Sequence, residues 1–293
     1  MRKLLFYIYW LLRTWPMRWA FPSYKILSFE ATINEIIINK KSISRFGDGE
    51  FRLLTKERGI YFQNLNNKIA ERLNEVVNAD LCNHLVCIPS SFNSLKNLKR
   101  EVKVHWLNFI NQKGKGITKA IENCNRVFGD ALISRFYLSY INKAEIQQKV
   151  KLLQKIWQNK DILIVEGKYS RLAIGNDFFS NTKSIERILC PSTNAFENYE
   201  EILEASKKYG QNKLIIIALG PTATILAYDL AKENYWALDL GHIDIEYSWF
   251  LQNAQSKVPV KGKKSAEVNG NESFELSDVE EKIFKQSIVA EIY

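Results

Sequence analysis

The chain has 293 residues, 46% hydrophobic and 25% charged, with 13 Gly and 6 Pro, a balance that excludes collagen-like, low-complexity and wholly disordered classes. Its formal charge of +9 suggests an anionic partner, yet Arg2, Lys3, Arg13, Arg18 and Lys25 all precede Glu30, the first acidic residue. The remaining body is only mildly basic, which argues against nucleic acid as a partner.

The first element is an apolar run at residues 4–12 behind a charged start. It is too short to span a bilayer, and Arg13, Trp15, Arg18 and Trp19 follow it in place of a small-residue cleavage site. Two readings stand for this leader, residues 1–29. One is a helix lying in the membrane interface, which places a cytoplasmic protein at the inner face of the cell membrane. The other is a hydrophobic helix packed on the body or on a second subunit of a homo-oligomer. Cys82, Cys87, Cys124 and Cys190 form no Cys-x-x-Cys pair and no zinc-spaced cluster, so they read as reduced thiols of a cytosolic chain.

A strand is expected at residues 41–46, a helix at 67–79, a strand at 84–88 and a helix at 95–112. His84 and His105 fall inside these patterns and read as structural. Ile146, Val150, Leu153 and Trp157 recur at helical spacing, and a buried strand at 161–167 follows. Next come a strand at 184–190, a helix at 195–209 closed by Gly210, the most apolar strand at 213–219, a helix at 221–234 and a strand at 235–240. Continuous apolar strands separated by amphipathic helices imply an α/β protein with a parallel sheet covered on both faces. No linker divides residues 30–255, which read as one domain. Residues 256–293 turn polar, through Lys261 and Lys263 and then Asn269 and Asn271. They read as a mobile loop before a short C-terminal helix, or as a lid.

Ligands of open parallel sheets bind beyond the carboxyl ends of the strands, so the strand-end turns are where chemistry is expected. Gly220-Pro221-Thr222 joins the most apolar strand to a helix. Its glycine permits close backbone approach, its proline suits a first helical turn, and the free amides there form an anion site. No Gly-x-Gly-x-x-Gly or P-loop pattern occurs, which argues against dinucleotide oxidoreductases and P-loop NTPases. In Arg45-Phe46-Gly47-Asp48-Gly49-Glu50, two hard carboxylates suit Mg²⁺ or Mn²⁺ shared with substrate phosphates, and Arg45 can meet those phosphates directly. A plain Asp-Gly turn with solvated acids is the competing account. His242, Asp244 and Glu246 alternate with Ile243 and Ile245, so an extended segment puts all three on one face for metal ligation or general-base work. An ordinary polar edge strand is the alternative there.

Ser44 to Glu50, Val165-Glu166-Gly167, Ser170-Arg171, Gly175-Asn176-Asp177, Asn194-Ala195-Phe196, Ala218 to Thr224 and Gly241 to Tyr247 together resemble the GT-D-type glycosyltransferases of bacterial surface-glycan assembly. The resemblance runs from about residue 30 to 255. It implies a Rossmann-like fold, a nucleotide-sugar donor that is typically UDP-linked, and a divalent metal at an Asp-x-Glu motif, here Asp48-Gly49-Glu50. On its motifs the donor-side residues are Arg45, Gly47, Gly49, Glu166, Arg171, Asn194, Gly220, Pro221 and Thr222, and the catalytic group is His242, Asp244 and Glu246. Two departures stand out: Ala173 occupies a position expected to be glycine, and the leader looks like an addition. The expected activity is metal-dependent transfer of a hexose, from a UDP-glucose-like donor, to a hydroxyl of a growing surface glycan or glycoprotein. A non-catalytic nucleotide-sugar-binding scaffold on the membrane and a metal-dependent phosphohydrolase are the rival activities.

Overall fold

The computed structural model describes residues 2–264 and 275–293. Its strands are β1 (Lys25–Ile26), β2 (Ser42–Arg45), β3 (His84–Ile88), β4 (Val127–Asp130), β5 (Asp161–Gly167), β6 (Ser184–Cys190), β7 (Leu214–Ala218), β8 (Trp236–Asp239) and β9 (Ile288–Glu291). They form one sheet in the order β1-β4-β3-β2-β8-β7-β5-β6-β9, parallel at every pairing. The helices are α1 (Arg2–Arg13), α2 (Trp15–Ala20), α3 (Phe29–Ile38), α4 (Asp48–Leu54), α5 (Asn67–Val77), α6 (Arg100–Ala120), α7 (Ile146–Trp157), α8 (Tyr199–Gly210), α9 (Pro221–Lys232), α10 (Ile243–Leu251) and α11 (Asp278–Gln286).

Side chains of a strand alternate between its two faces, and here the alternation divides two cores. Leu163 and Val165 of β5 and Ile215 and Ile217 of β7 enter one cluster with residues of α5, α6, α8 and α9. Ile162, Ile164, Leu214 and Ile216 enter the other, against α3, α7 and α10. A sheet clad on both faces has little need of alternating polarity, which is why β5 and β7 are apolar throughout.

The strands expected at 84–88, 161–167 and 184–190 form with those bounds. The helix expected at 95–112 begins later and runs to Ala120, because Leu98 bridges Tyr140 and the Lys99 amide donates to the Ser139 carbonyl at 2.8 Å. The helix expected at 195–209 opens with a 3₁₀ turn at Ala195–Asn198. Residues 242–246 are not extended: His242 caps α10.

The polar C-terminal segment is more ordered than its composition suggests. Val260 is buried, and Lys263, only 2% exposed, pairs with Asp244. The mobile-loop or lid expectation otherwise falls on residues 265–274, Asn269 and Asn271 among them, which lie outside the described residues. Beyond them, β9 adds to β6 and extends the same sheet. At the other end the leader forms α1 and α2, which seat on α6. Gly114 of α6 admits them, since a Cβ there would meet Met17 Sδ at 2.8 Å. No helix among the described residues is long and apolar enough to cross a membrane.

Candidate functional site

A cleft of about 1230 Å³ opens along the carboxyl edge of the sheet, lined by the residues at or after the ends of β2, β5, β6, β7 and β8. From β2 the chain runs outward through β3 to β4, while β8 continues the sheet on the other side. This divergence is the switch-point crevice in which open α/β sheets take their ligands.

At the end of β2 the chain enters α4. Gly47 caps the helix, and Glu50 Oε2 accepts the Gly47 N–H at 2.8 Å, the reciprocal half of a capping box. Asp48, 46% exposed in its side chain, faces His105 Nε2 at 3.7 Å and Arg52 Nε at 4.0 Å. Burial and the nearby Asp239 carboxylate push the Glu50 carboxyl up to about 7. Gly47, Asp48, Gly49 and Glu50 all line the cleft.

Arg45 lines the cleft too, but its guanidinium is already engaged. Nη2 donates to Asp239 Oδ1 at 2.9 Å, Nε to the Asp239 carbonyl at 2.5 Å and Nη1 to Ser134 Oγ at 2.6 Å. Arg45 therefore braces the β2–β8 junction and is not presented as a direct phosphate ligand. Gly241 makes room for this, since a Cβ there would lie 2.7 Å from Arg45 Nη2.

The turn from β7 into α9 places Gly220 at φ +55°, with Pro221 opening the helix as expected. Both line the cleft. A Cβ on Gly220 would come 3.5 Å from Phe62 Cβ. Thr222 does not reach the cleft. It is fully buried, with its Oγ1 3.5 Å from Gln63 Oε1. Asn194 also works indirectly: its amide donates to the Phe62 carbonyl at 2.7 Å, and its Oδ1 accepts the Asn64 N–H at 2.8 Å. It thereby holds the 59–64 loop, whose Tyr61 and Phe62 form part of the cleft wall. His242 lines the same wall, its ring centroid 6.0 Å from that of Phe62.

The helical course of residues 243–251 separates the three polar groups expected on one face. Residues two apart on a helix point about 200° from one another. Asp244 is fully buried, outside the cleft lining, bound to Lys263 and to the Ala173 N–H at 3.1 Å. Glu246 touches the cleft, but Oε1 accepts the Tyr137 and Leu138 N–H groups at 2.9 and 2.6 Å, and Oε2 lies 4.0 Å from Arg135. Of the three, His242 alone is a half-buried residue at the cleft, with its Nδ1 buried.

Glu166 and Arg171 are likewise outside the cleft lining. Glu166 forms a fully buried pair with Arg187 and accepts the Leu172 N–H at 2.8 Å; burial pulls its carboxyl upward and Arg187 opposes that pull. Arg171 Nη1 donates to the Gly262 carbonyl at 2.8 Å and its guanidinium lies over the Phe284 ring. Arg171 thus ties the C-terminal segment to the β5–β6 connection, while Glu166 joins β5 to β6. Ala173 has φ +66°, the left-handed region that glycine adopts without strain.

Among the cleft residues without a signal in the sequence are Asp239, at the end of an apolar strand, and Phe62, in a loop with no periodicity; His105, expected to be structural, faces Asp48 at the cleft. His84 is structural: it is buried, its Nε2 is 2.8 Å from Ser44 Oγ, and burial lowers it to about 3.

Among the described residues no three His, Cys, Asp or Glu side chains converge as a metal cage. Mg²⁺ and Mn²⁺ sites often need only one or two carboxylates, with substrate phosphates and water completing the shell. Asp48 and Glu50 both carry hard oxygens at the cleft wall, but as the first and third residues of α4 they too point about 200° apart, and Glu50 Oε2 already accepts the Gly47 N–H. A single carboxylate, the more exposed Asp48, completed by substrate phosphates and water is the arrangement that fits that pattern.

A parallel α/β sheet with a crevice beyond the carboxyl ends of its strands is the architecture of an α/β enzyme. The chain belongs to the glycosyltransferase GT-D fold family, whose pattern matches residues 43–268. It is 35% identical over 269 residues to "Probable glycosyl transferase Gly" of Streptococcus gordonii, covering 91% of this chain and 39% of that protein. It is 32% identical over 270 residues to "Glycosyltransferase GlyD" of Streptococcus pneumoniae, covering 92% and 32%. The chain thus spans about two fifths or less of these relatives. A solved structure described as the highly conserved domain of unknown function 1792, with a distinct glycosyltransferase fold, is 34% identical and matches at a TM-score of 0.87, over 97% of this chain and all of its own. A glycosyltransferase of Streptococcus sanguinis matches at 0.83, over 92% of this chain and all of its own. These relatives place the chain among glycosyltransferases.

Proposed function

We propose that this domain moves a hexose from a nucleoside diphosphate sugar, UDP-linked, to a hydroxyl of a bacterial surface glycan or glycoprotein. The observation that carries this is the meeting, in one cleft, of the α4 start with its two carboxylates, the Gly220-Pro221 start of α9 and the His242 ring. The size of the cleft supports a two-substrate site. Small-ligand pockets commonly occupy roughly 300 to 1,000 Å³, and 1230 Å³ leaves space for donor and acceptor together.

The Gly220-Pro221 turn at the start of α9 receives the donor diphosphate, where the positive end of the helix dipole favours negative charge. Asp48, the more exposed of the two acids, would hold Mn²⁺ or Mg²⁺ at the start of α4, with Glu50 adding negative charge beside it. That ion, when bound, supplies positive charge to the departing diphosphate, an electrostatic contribution directed at the transition state. Arg45 and Asp239 keep the α4 start and the β8 end in fixed relation. His242 takes the acceptor proton, since an imidazole at a cleft wall can act as a general base near neutral pH. Asp244 and Glu246 position His242 by anchoring the first turn of α10, where acidic side chains also favour the helix dipole.

Mass spectrometry of products, after incubating the protein with a panel of nucleotide sugars, Mn²⁺ and candidate acceptors, tests this function. A hexose mass added to an acceptor is the expected outcome. Release of sugar or phosphate at the same rate with and without acceptor would favour the phosphohydrolase, and donor binding without any product would favour the scaffold.

A further inference from the structure

We propose that the outer face of α1 and α2 docks on an anionic lipid surface while their inner face fixes the leader to α6. The two expectations for the leader thus concern opposite sides of one element. Thr14 links the helices with little break: its amide donates to the Trp10 carbonyl at 3.0 Å, and its own carbonyl accepts the Arg18 N–H at 3.0 Å. The inner side carries buried Thr14 and half-buried Met17, which sits at Gly114 of α6.

The outer side is different. Leu5, Ile8, Leu12, Trp15 and Trp19 follow at spacings of three and four, which makes one stripe along both helices. Leu12 is 71% exposed, Trp15 62% and Trp19 82%. Scattered exposed apolar residues need no explanation, but a contiguous stripe with two tryptophans marks a contact surface. Arg13 and Arg18 are exposed on the same helices, and no acid precedes Glu30.

Charge selects the occupant. A second copy meeting this face across a two-fold axis would set the same patch against itself, basic groups opposite basic groups with no acid of the leader to offset them. An anionic bilayer supplies the complement: headgroup phosphates for the arginines, and an interfacial zone in which tryptophan and leucine settle. The docking also has a consequence for the cleft. Tyr7 lies beside Lys103 of α6, with the Lys103 Nζ 5.9 Å from the ring centroid, and Lys99, Glu101 and Val102 at that end of α6 line the cleft. The lipid-facing helix thus runs alongside the part of α6 that borders the substrates.

The test is co-sedimentation of the full chain with vesicles of phosphatidylcholine alone and of phosphatidylcholine with phosphatidylglycerol, at low and high salt. Binding is expected to the anionic vesicles only, falling about tenfold or more as salt screens the surface charge. A Leu12→Ser, Trp15→Ser, Trp19→Ser variant changes exposed positions alone. It should lose vesicle binding at least about tenfold while keeping the wild-type circular dichroism. An Arg13→Glu, Arg18→Glu variant gives an independent arm and should lose binding in the same way. Equal binding to neutral and anionic vesicles, no binding to either, or unchanged binding in both variants overturns the proposal. So does light scattering that shows a dimer dispersed by the serine variant in the absence of lipid.

Discussion

Glu50→Gln tests the electrostatics of the α4 start, because it keeps the size and the acceptor oxygen of the side chain and removes its titration. The folded protein holds this carboxyl at about 7, against an ordinary value of 4.5. At about 1.4 kcal/mol for each tenfold change, the full difference is worth roughly 3 kcal/mol, which solvent at this partly exposed residue reduces to about 2. The sign follows from linkage. Below pH 4.5 both folded and unfolded chains keep the proton, and the contribution is fully present; between 4.5 and 7 the unfolded chain ionises first and stability is lost. Urea unfolding of both proteins in EDTA, at about pH 5 and about pH 8, should show Glu50→Gln gaining about 2 kcal/mol on the wild type between the two conditions. Ion binding competes with the same proton, so the Mn²⁺ affinity of the wild type should rise with pH up to about 7. Parallel pH profiles for the two proteins would refute the burial and Asp239 repulsion assigned to this site.

Arg187→Ala strips the partner from a fully buried Glu166 and should lower unfolding stability by about 3 to 5 kcal/mol in urea titration; a loss under about 1 kcal/mol would mean that the pair is dispensable. Ala173→Gly relieves a left-handed backbone at φ +66° and should raise stability by about 1 kcal/mol, with an unchanged melting temperature counting against strain there. Gly220→Ala introduces a side chain where φ is +55° and ψ is −141°, so it should cost about 1 to 3 kcal/mol of stability and weaken UDP binding in calorimetry; undiminished UDP affinity would move the diphosphate away from α9.

Much of this fold is legible in the sequence because the sheet is buried on both faces. Runs such as 161–167 and 213–219 admit hardly any other structure, and their ends locate the cleft. The helix α10 was harder to see. Ile243 and Ile245 alternate with polar residues in the manner of a strand, and the helix is buried around most of its surface, so it lacks the amphipathic period that identifies a surface helix. Acids at positions 244 and 246 just after Gly241 were the available signal, since acidic residues favour a first helical turn. Arg45 illustrates a different limit. An arginine beside two glycines and two acids suggests a phosphate ligand, yet its partner Asp239 is 194 residues away, and only the register of β2 beside β8 reveals the pair. Glu166 and Arg171 show the same limit: both are expected on the donor side, yet their partners, Arg187 on the neighbouring strand and Gly262 in the C-terminal segment, become visible only when the chain folds back.

Metal held at Asp48, beside Glu50 and against the donor diphosphate, makes transfer depend on both the ion and the Asp48 carboxylate. The most direct measurement compares sugar transfer by the wild type and by Asp48→Asn, with Mn²⁺ and with EDTA, using the donor and acceptor that the product screen identifies. Transfer by the wild type should require Mn²⁺, and Asp48→Asn should be slower by roughly 3 kcal/mol, or at least about a hundredfold, with its unfolding curve unchanged. Full activity of Asp48→Asn, or of the wild type in EDTA, would contradict the account.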